Sequence, residues 1–277
     1  MQQLADLIRK KLLSDEIRLP ALPESVLKVK TILQDEEKGA ADIAKVIKND
    51  QTLSAAVVRI ANSSRFNTSG KQINSLPMAI QRLGGKRTFQ ILIAVSSKML
   101  LQVKDKNLQK LIRISFQHSQ LVAVAAQEIA RSFRDPNAEE VFLAGLVHDI
   151  GEPAIICAMP DELLELSDEK RTSLLETLHR EVGGRLLISW GLSEELAATA
   201  SHHGLESSDR PGGKLIDYVD GGDLIVESMM DSNSDEDYSE MTNHPSIARL
   251  GMTEAQLISV EFEVEEAAEE LQSAMAI

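Results

Sequence analysis

Apolar residues recur three and four positions apart along almost the whole chain, which is the pattern of amphipathic helices. Helix start signals separate the apolar stretches: Pro23 precedes ESVLKVKTIL, Gly39 precedes AADIAKVIKN, and Asp50 is placed to cap QTLSAAVVRIANSS. No convincing run of alternating polar and apolar residues indicates a β-strand. The pattern therefore predicts an all-α protein.

The predicted helices fall into two groups that meet near residue 110. Residues 1–110 form an N-terminal helical lobe, and residues 111–230 form a second lobe with no Pro/Gly linker before it, so we expect the two to pack as one unit. The helices predicted in the second lobe are 112–133, 138–150, 172–189, 193–203 and 214–230. Residues 231–277 add an acidic segment, 231–244, predicted to be a mobile loop, and a final amphipathic helix from about residue 253.

The net charge of −14 is unevenly distributed between the lobes. Residues 1–110 carry 19 Lys and Arg against 10 Asp and Glu, whereas residues 111–277 carry 10 against 33, so the balances are +9 and −23. Binding to nucleic-acid phosphates needs a basic surface, and the overall acidity argues against it. The opposite charges favour attraction between the lobes or toward a partner subunit, which leaves a homodimer open.

The chain also has the sequence features of a cytoplasmic protein. It contains no run of about 18 apolar residues that would span a membrane. Its N-terminus, MQQLADLIRKKLL, lacks the apolar core and the cleavage site of a signal peptide. Cys157 is the only cysteine, which excludes an internal disulfide and fits a reducing compartment.

Five of the six histidines lie between residues 118 and 203. His118 shares an apolar stripe with Val122, Ala125 and Ile129, so its ring faces the core of the predicted helix bundle. A single inward polar residue is usually satisfied locally, but a buried charge is costly unless it is paired or metal-bound. Four further predicted helices turn an imidazole or a carboxylate inward in the same way, at His148, His179, His203 and Asp223.

These inward side chains predict a site for divalent metal ions. Imidazole and carboxylate ligands together suit Fe, Mn, Ni or Zn. Adjacent side chains on a helix point about 100° apart, so the pairs His148-Asp149 and His202-His203 can each serve two neighbouring ions, with Asp149 as a bridge. Seven ligands are too many for one tetrahedral ion and suit two ions with open positions. The predicted ligands are His118, His148, Asp149, His179, His202, His203 and Asp223.

The order of these residues resembles the HD superfamily of metal-dependent phosphohydrolases, whose signature is a His, an adjacent His-Asp and a distant Asp. Here those positions are His118, His148-Asp149 and Asp223, and the remaining histidines resemble the fuller ligand set of two-metal members. A closer resemblance, to the HDOD family (HD-related output domains), covers about residues 17–230. It rests on segments such as LPALPESVLKVKTIL, INSLPMAIQRLGGKRTFQILI and AGLVHDIGEPAI, in that order.

The HDOD resemblance implies an HD-domain-like helical bundle with an N-terminal helical lobe packed on it. The family is bacterial and mostly associated with signal transduction, and many of its members have lost the HD ligands. This sequence keeps them. It departs from active HD-GYP cyclic di-GMP phosphodiesterases at Glu152, which stands where those enzymes have a phosphate-contacting Lys, and in GLESSDRPGG after His203, which contains no GYP-type motif. Ile114 stands where three-metal members have an acidic residue, one helical turn before the first His. Hydrolysis of cyclic di-GMP and a third metal ion are therefore not expected.

Two functions remain open from the sequence. The first is a regulatory module that responds to a signalling partner or to a small phosphorylated ligand, with a metal centre tying five helices together. The second is a two-metal phosphohydrolase of phosphodiesters or nucleotide phosphates, in which Asp149 bridges the ions and Arg180 or Arg185 binds the phosphate. A nucleic-acid-binding regulator, suggested by the helix-turn-helix length of residues 42–63, is the weakest alternative because of the charge.

Overall fold

The computed structural model describes residues 6, 8–11, 20–63, 66–67, 70–205, 213–230 and 238–275, with side chains as far as residue 268. Within these residues the protein is helical and has no strand, which confirms the all-α prediction. The chain divides into two compact units. The N-terminal unit comprises residues 20–102, and the C-terminal unit comprises residues 1–19 together with 103–277. The packing of the two units as one stays a prediction.

The described residues of the N-terminal unit form five helices: α1 (Glu24–Leu33), α2 (Ala40–Ile47), α3 (Gln51–Ala61), α4 (Leu76–Leu83) and α5 (Gly85–Leu100). Its core includes Ile47 of α2 and Leu53 of α3, both fully buried, so this helix pair is part of the core. Asn62, which ends α3, holds the chain that returns to α4: its side-chain amide donates to the carbonyl of Ile73 and accepts from the amide N–H of Ile73.

From residue 103 onward, the described part of the C-terminal unit contains ten helices: α6 (Lys106–Ser132), α7 (Ala138–Val147), α8 (Gly151–Ala158), α9 (Pro160–Leu164), α10 (Asp168–Ser189), α11 (Glu194–His202), α12 (Lys214–Met230), α13 (Tyr238–Asn243), α14 (Pro245–Leu250) and α15 (Glu254–Met275). The described residues 6 and 8–11 are helical as well. The helix predicted over 138–150 ends at Val147; residues 148–150 form a turn, and the separate helix α8 follows. Helix α6 begins earlier than predicted because Asp105 caps it, accepting the N–H groups of Asn107 and Leu108.

The acidic segment 231–244 was predicted to be a mobile loop, and this prediction is wrong for its second half. Residues 231–237 lie outside the described residues, but Tyr238–Asn243 form α13. The hydroxyl of Tyr238 donates to the carboxylate of Glu261 on α15, so the short helix is held by the final helix of the chain. The acidic composition predicted a loop. A contact between residues this far apart in sequence cannot be recognised from composition.

Glycines allow the helices of the C-terminal unit to approach closely. A Cβ on Gly145 of α7 would lie 2.7 Å from Cα of Ala123, and a Cβ on Gly222 of α12 would lie 2.7 Å from N of Ala126, both on α6. A Cβ on Gly151 would lie 1.8 Å from the carbonyl oxygen of His179, which brings α8 against α10. These approaches set the spacing of the helices that carry the predicted ligands.

One stretch, Ala138–Ala158, is long and apolar enough to cross a membrane, with a mean hydropathy of 1.5 over its best window. It comprises α7, the turn at 148–150 and α8, and 72% of that window is buried inside the protein. Its apolar character is therefore that of a core helix pair, which is weak support for a membrane span.

Candidate metal centre

The structure brings six of the seven predicted ligands together. They come from five helical elements of the C-terminal unit. His148 directly follows α7, Asp149 lies next to it in the turn before α8, and His203 directly follows α11. The remaining three lie within helices: His118 on α6, His179 on α10 and Asp223 on α12.

Backbone carbonyls fix the orientation of three of the rings. The Nδ1–H groups of His148, His179 and His203 donate to the carbonyl oxygens three or four residues earlier, at 2.7, 3.0 and 3.0 Å. Each ring therefore presents Nε2 to the cluster. A histidine that ligates a metal through one nitrogen commonly uses the other nitrogen in this way.

Asp149 lies between two groups of ligands. Its Oδ1 is 2.9 Å from Nε2 of His203 and 3.5 Å from Nε2 of His179. Its Oδ2 is 3.4 Å from Nε2 of His148 and 3.8 Å from Nε2 of His118. Asp223 adds a second carboxylate beside His118, where Oδ1 and Nε2 are 2.9 Å apart. The geometry thus contains two candidate metal triads that share Asp149, one with His118 and His148 and the other with His179 and His203.

Two observations test whether these residues fit a metal ion. His148 is fully buried, yet its Nε2 has no hydrogen-bond partner among the described residues, which is unusual for a buried polar atom. The Nε2 atoms of His179 and His203 are 3.2 Å apart. Two imidazole nitrogens that bind the same Zn²⁺ ion, each at about 2.0–2.1 Å, lie roughly 3 Å from each other. The donor set and its spacing therefore fit divalent ions.

Burial and charge in the cluster favour the ionised carboxylate of Asp149 and the neutral rings of His148 and His179, which are the forms that bind metal. Burial opposes ionisation of Asp149, but the neighbouring rings of His148, His203 and His179, which attract the carboxylate when they are protonated, hold the pKa of its carboxyl well below the ordinary value. Burial lowers the pKa of His179 to about 4 and also lowers that of His148, so both rings are neutral near pH 7.

Two histidines behave differently. Burial lowers the pKa of His118 and of His203, but neighbouring Asp223 and Asp149 respectively raise it more, so the net pKa of each is raised. Where either ring is protonated, an ion in the site would take the place of that proton, so metal binding would release it.

His202 was predicted to be a ligand, but the structure does not bring it into the cluster. Its Nδ1–H donates to the carbonyl of Ala198 at 2.9 Å, and its ring belongs to neither metal triad. His202 is the last residue of α11, whereas His203 has left the helix, with φ −56° and ψ 149°. Because consecutive side chains point in different directions, only His203 faces Asp149.

A cavity of about 360 Å³ opens beside the cluster. Arg180, predicted to bind phosphate, lies in its wall next to His179. Arg185, the other predicted phosphate ligand, is not in this wall and instead forms an ion pair with Glu181 at 2.9 Å. Besides the ligands, the polar lining includes Glu176, Arg180, Asp220, Glu227, Ser246 and Arg249.

Helix α14 forms part of the cavity wall, which was not predicted from the sequence. His244 accepts the N–H of Ser246 and caps this helix, and Pro245 occupies its first turn. Arg249 lies 2.7 Å from the carboxylate of Asp217 and 3.2 Å from the hydroxyl of Ser246. A capping residue followed by Pro is a helix start signal and could have revealed α14, but its position beside the cluster depends on tertiary contacts.

Glu152 was expected where a phosphate would approach, but it is not among the residues that line the cavity. Burial, followed by the charge of Asp149, raises its pKa from 4.5 to about 7. The neighbouring Ser115 on α6 lowers the pKa of the Glu152 carboxyl, but this effect is outweighed. Glu152 is therefore partly protonated at neutral pH and does not place a full negative charge in front of the cluster.

Glu152→Gln is expected to stabilise the metal-free protein at high pH. The raised pKa means that folding costs free energy once the unfolded chain has lost the proton, so the penalty grows from about pH 4.5 and is complete above about pH 7. We expect the variant to unfold with a free energy about 1–3 kcal/mol higher than the wild type at pH 8 and equal to it at pH 4. Urea denaturation in EDTA at both pH values measures this. The same difference at both would show that the carboxylate charge is not its cause.

Asp220 is a candidate for positioning His203. It is 5% exposed, and its Oδ1 accepts the N–H of Gly204, the residue after His203, at 3.0 Å. We expect Asp220→Ala to lower metal affinity about 10–100-fold, whereas Asp220→Asn, which keeps a carbonyl acceptor, stays closer to the wild type. Competition with a chromophoric chelator measures both. Equal losses in the two variants would assign the effect to charge instead of to the hydrogen bond.

Comparison with known proteins gives a consistent result. The HDOD domain profile matches residues 19–205. An uncharacterized protein of Treponema pallidum (strain Nichols) is 23% identical over 220 residues, which is 75% of this chain and 42% of the relative, so the chain spans less than half of that protein.

Two crystal structures share the fold over nearly their whole length. An HDOD domain protein with unknown function from Geobacter sulfurreducens has a TM-score of 0.76 at 23% identity, covering 100% of this chain and 99% of its own. A candidate metal-dependent phosphohydrolase from Shewanella amazonensis SB2B has a TM-score of 0.71 at 20% identity, covering 95% and 98%. At these identities the likeness establishes the fold.

Proposed function

The chain belongs to the HDOD family, and from this premise we propose that it is a cytoplasmic signal-transduction protein that binds two divalent metal ions and a phosphorylated small ligand beside them. The observation that carries the proposal is the position of Asp149, whose two oxygens face two different pairs of histidines. A metal site kept only as a remnant would not need both pairs, or a cavity open to them.

Different residues would bind the two ions and the phosphate group at this centre. His118, His148, Asp149 and Asp223 would hold one ion, and Asp149, His179 and His203 the other. Bound divalent ions would supply Lewis acidity toward a phosphate group. Arg180 lies next to these ligands in the cavity wall, and a guanidinium group can form two parallel hydrogen bonds to a phosphate.

The wall formed by α14 offers a route from ligand to partner. Ser246 and Arg249 line the cavity, and Arg249 is tied to Asp217 on α12. A ligand that contacts this wall would bias how α14 packs on α12, and a signalling partner could respond to that change. The family's association with signal transduction supports this role.

Calorimetric titration with butyl phosphate, a minimal phosphate monoester, tests the proposal. We expect binding to the Mn²⁺-loaded protein, no binding to the EDTA-treated protein, and binding reduced at least about tenfold in Arg180→Gln. Arg113→Gln, an exposed arginine outside the cavity, is the matched control and should bind as the wild type does. Equal affinity with and without metal would contradict the proposal.

Hydrolysis is a second candidate function, favoured by the open cavity over the shared carboxylate. A panel of phosphodiesters and nucleotide phosphates, assayed with Mn²⁺ or Fe²⁺, distinguishes the two. Turnover that is lost in Asp149→Ala and retained in His202→Ala would assign an enzyme. Metal-dependent binding without turnover of any substrate, together with a specific partner in a pull-down, would assign the regulatory role.

A further inference from the structure

A second groove, of about 620 Å³, lies on the C-terminal unit and shares Arg180 with the metal-site cavity. It runs between α10 and α11, and the N-terminal residue Arg9 completes it. Arg9, Arg180 and Arg185 all line this groove with one carboxylate, Glu181. Residues 111–277 have a charge balance of −23, so three arginines around one groove are a marked departure from the surrounding surface.

Glu181 holds two of the three arginines in place. Nε of Arg9 is 2.9 Å from its Oε2, and Nη2 of Arg185 is 2.9 Å from its Oε1. Arg9 also pairs with Asp6 at 3.0 Å, on the exposed side of the N-terminal segment. The side chains of Arg9, Glu181 and Arg185 are each about one third exposed, so they remain accessible to a ligand while their positions are restricted.

Arg180 connects this groove to the metal centre. It lines the groove and the metal-site cavity alike, and among the described residues it forms no ion pair. The other cavity arginine, Arg249, is already paired with Asp217. An anionic group on either side of Arg180 can therefore use the same guanidinium group without displacing a carboxylate.

We propose that the groove of Arg9, Arg180 and Arg185 is a second anion subsite, and that the ligand of this protein carries two phosphate groups, one at the metal centre and one in the groove. The two phosphates would lie on either side of Arg180, which lines both spaces. This inference rests on the proposed function, because the metal centre takes the first phosphate. It adds a substrate class: bisphosphorylated small molecules bind better than monophosphates.

A matched pair of ligands tests the subsite: butyl phosphate and butane-1,4-diyl bisphosphate, titrated into the Mn²⁺-loaded full chain. The wild type should bind the bisphosphate more tightly. Arg185→Gln should weaken the bisphosphate about three- to fivefold and leave butyl phosphate within about twofold, because the contact is partly exposed. Arg180→Gln should weaken both ligands, since Arg180 lines both spaces.

Glu181→Gln gives a test of opposite sign. Removing this carboxylate frees Arg9 and Arg185 from their counter-charge, so the affinity for the bisphosphate should rise about two- to fivefold. A purely structural role of the cluster would lower affinity in Arg185→Gln and in Glu181→Gln alike. Arg113→Gln, which removes the same charge elsewhere, should change neither ligand.

The outcomes separate this inference from the proposed function. If butyl phosphate binds in a metal-dependent way but the bisphosphate gains nothing, the subsite is overturned and the proposed function stands. If the bisphosphate depends on Arg185 but binds equally without metal, the groove binds anions independently, and a ligand spanning both sites is overturned. If butyl phosphate shows no dependence on metal, the proposed function itself fails.

Discussion

Replacing His203 with alanine is expected to remove one of two metal ions, whereas replacing the adjacent His202 removes none. His203 Nε2 lies 2.9 Å from Asp149 and 3.2 Å from Nε2 of His179, so it completes one triad. His202 is turned toward the carbonyl of Ala198. Loss of a supporting hydrogen bond lowers metal affinity about 10–100-fold, and loss of a direct ligand should lower it by more.

Metal analysis of anaerobically purified protein, with a chelator competition for affinity, measures this prediction. The triad of His118, His148 and Asp149 does not use His203, so His203→Ala should retain about one ion per chain and His202→Ala about two. The two variants remove the same group at neighbouring positions, so each controls for the other. Equal metal loss in both would show that the observed orientation of α11 is not the functional one.

Gly151→Ala is expected to have the largest effect on the fold. The added Cβ would lie 1.8 Å from the carbonyl oxygen of His179 and 2.6 Å from N of Gly183, and both are backbone atoms that no rotamer change can move. The helices α8 and α10 would have to separate, which we expect to cost more than about 3 kcal/mol of unfolding free energy. Since Asp149 and His179 lie beside this contact, metal binding should be lost as well.

Chemical denaturation and metal analysis of Gly151→Ala measure both effects. Gly213→Ala is the control, because a Cβ at Gly213 would have no atom within 4 Å and this residue also lies in the C-terminal unit. We expect the control to differ from the wild type by less than about 1 kcal/mol. A stable Gly151→Ala protein that keeps its metal would contradict the close contact between α8 and α10.

Most of the ligand set could be predicted from the sequence because the helical period determines which residues share a face. His118 falls on a stripe with Val122 and Ile129, and these two residues are indeed fully buried. The same argument could not separate His202 from His203. A helix end allows a change of direction after one residue, and the backbone of His203 takes that turn.

Features that depend on contacts between distant segments were beyond the sequence. Glu152 was expected near a bound phosphate, but it is not among the residues that line the cavity. Arg249 and Ser246 reach the cavity because α14 packs on α12, and the acidic composition before them suggested only a loop. Arg9 and Glu181 are 172 residues apart in the sequence, so no local pattern could predict that Arg9 lines the groove.

The most direct test of the proposed dinuclear centre is to count its metal ions and to measure whether they are magnetically coupled. The metal-free protein is titrated with Mn²⁺ under anaerobic conditions, and the product is analysed for metal content and by electron paramagnetic resonance. Two triads that share Asp149 predict about two ions per chain and a spectrum of exchange-coupled Mn²⁺, lost in Asp149→Ala. Fewer than about 0.2 ions per chain, or two ions with no coupling, would contradict a centre bridged by Asp149.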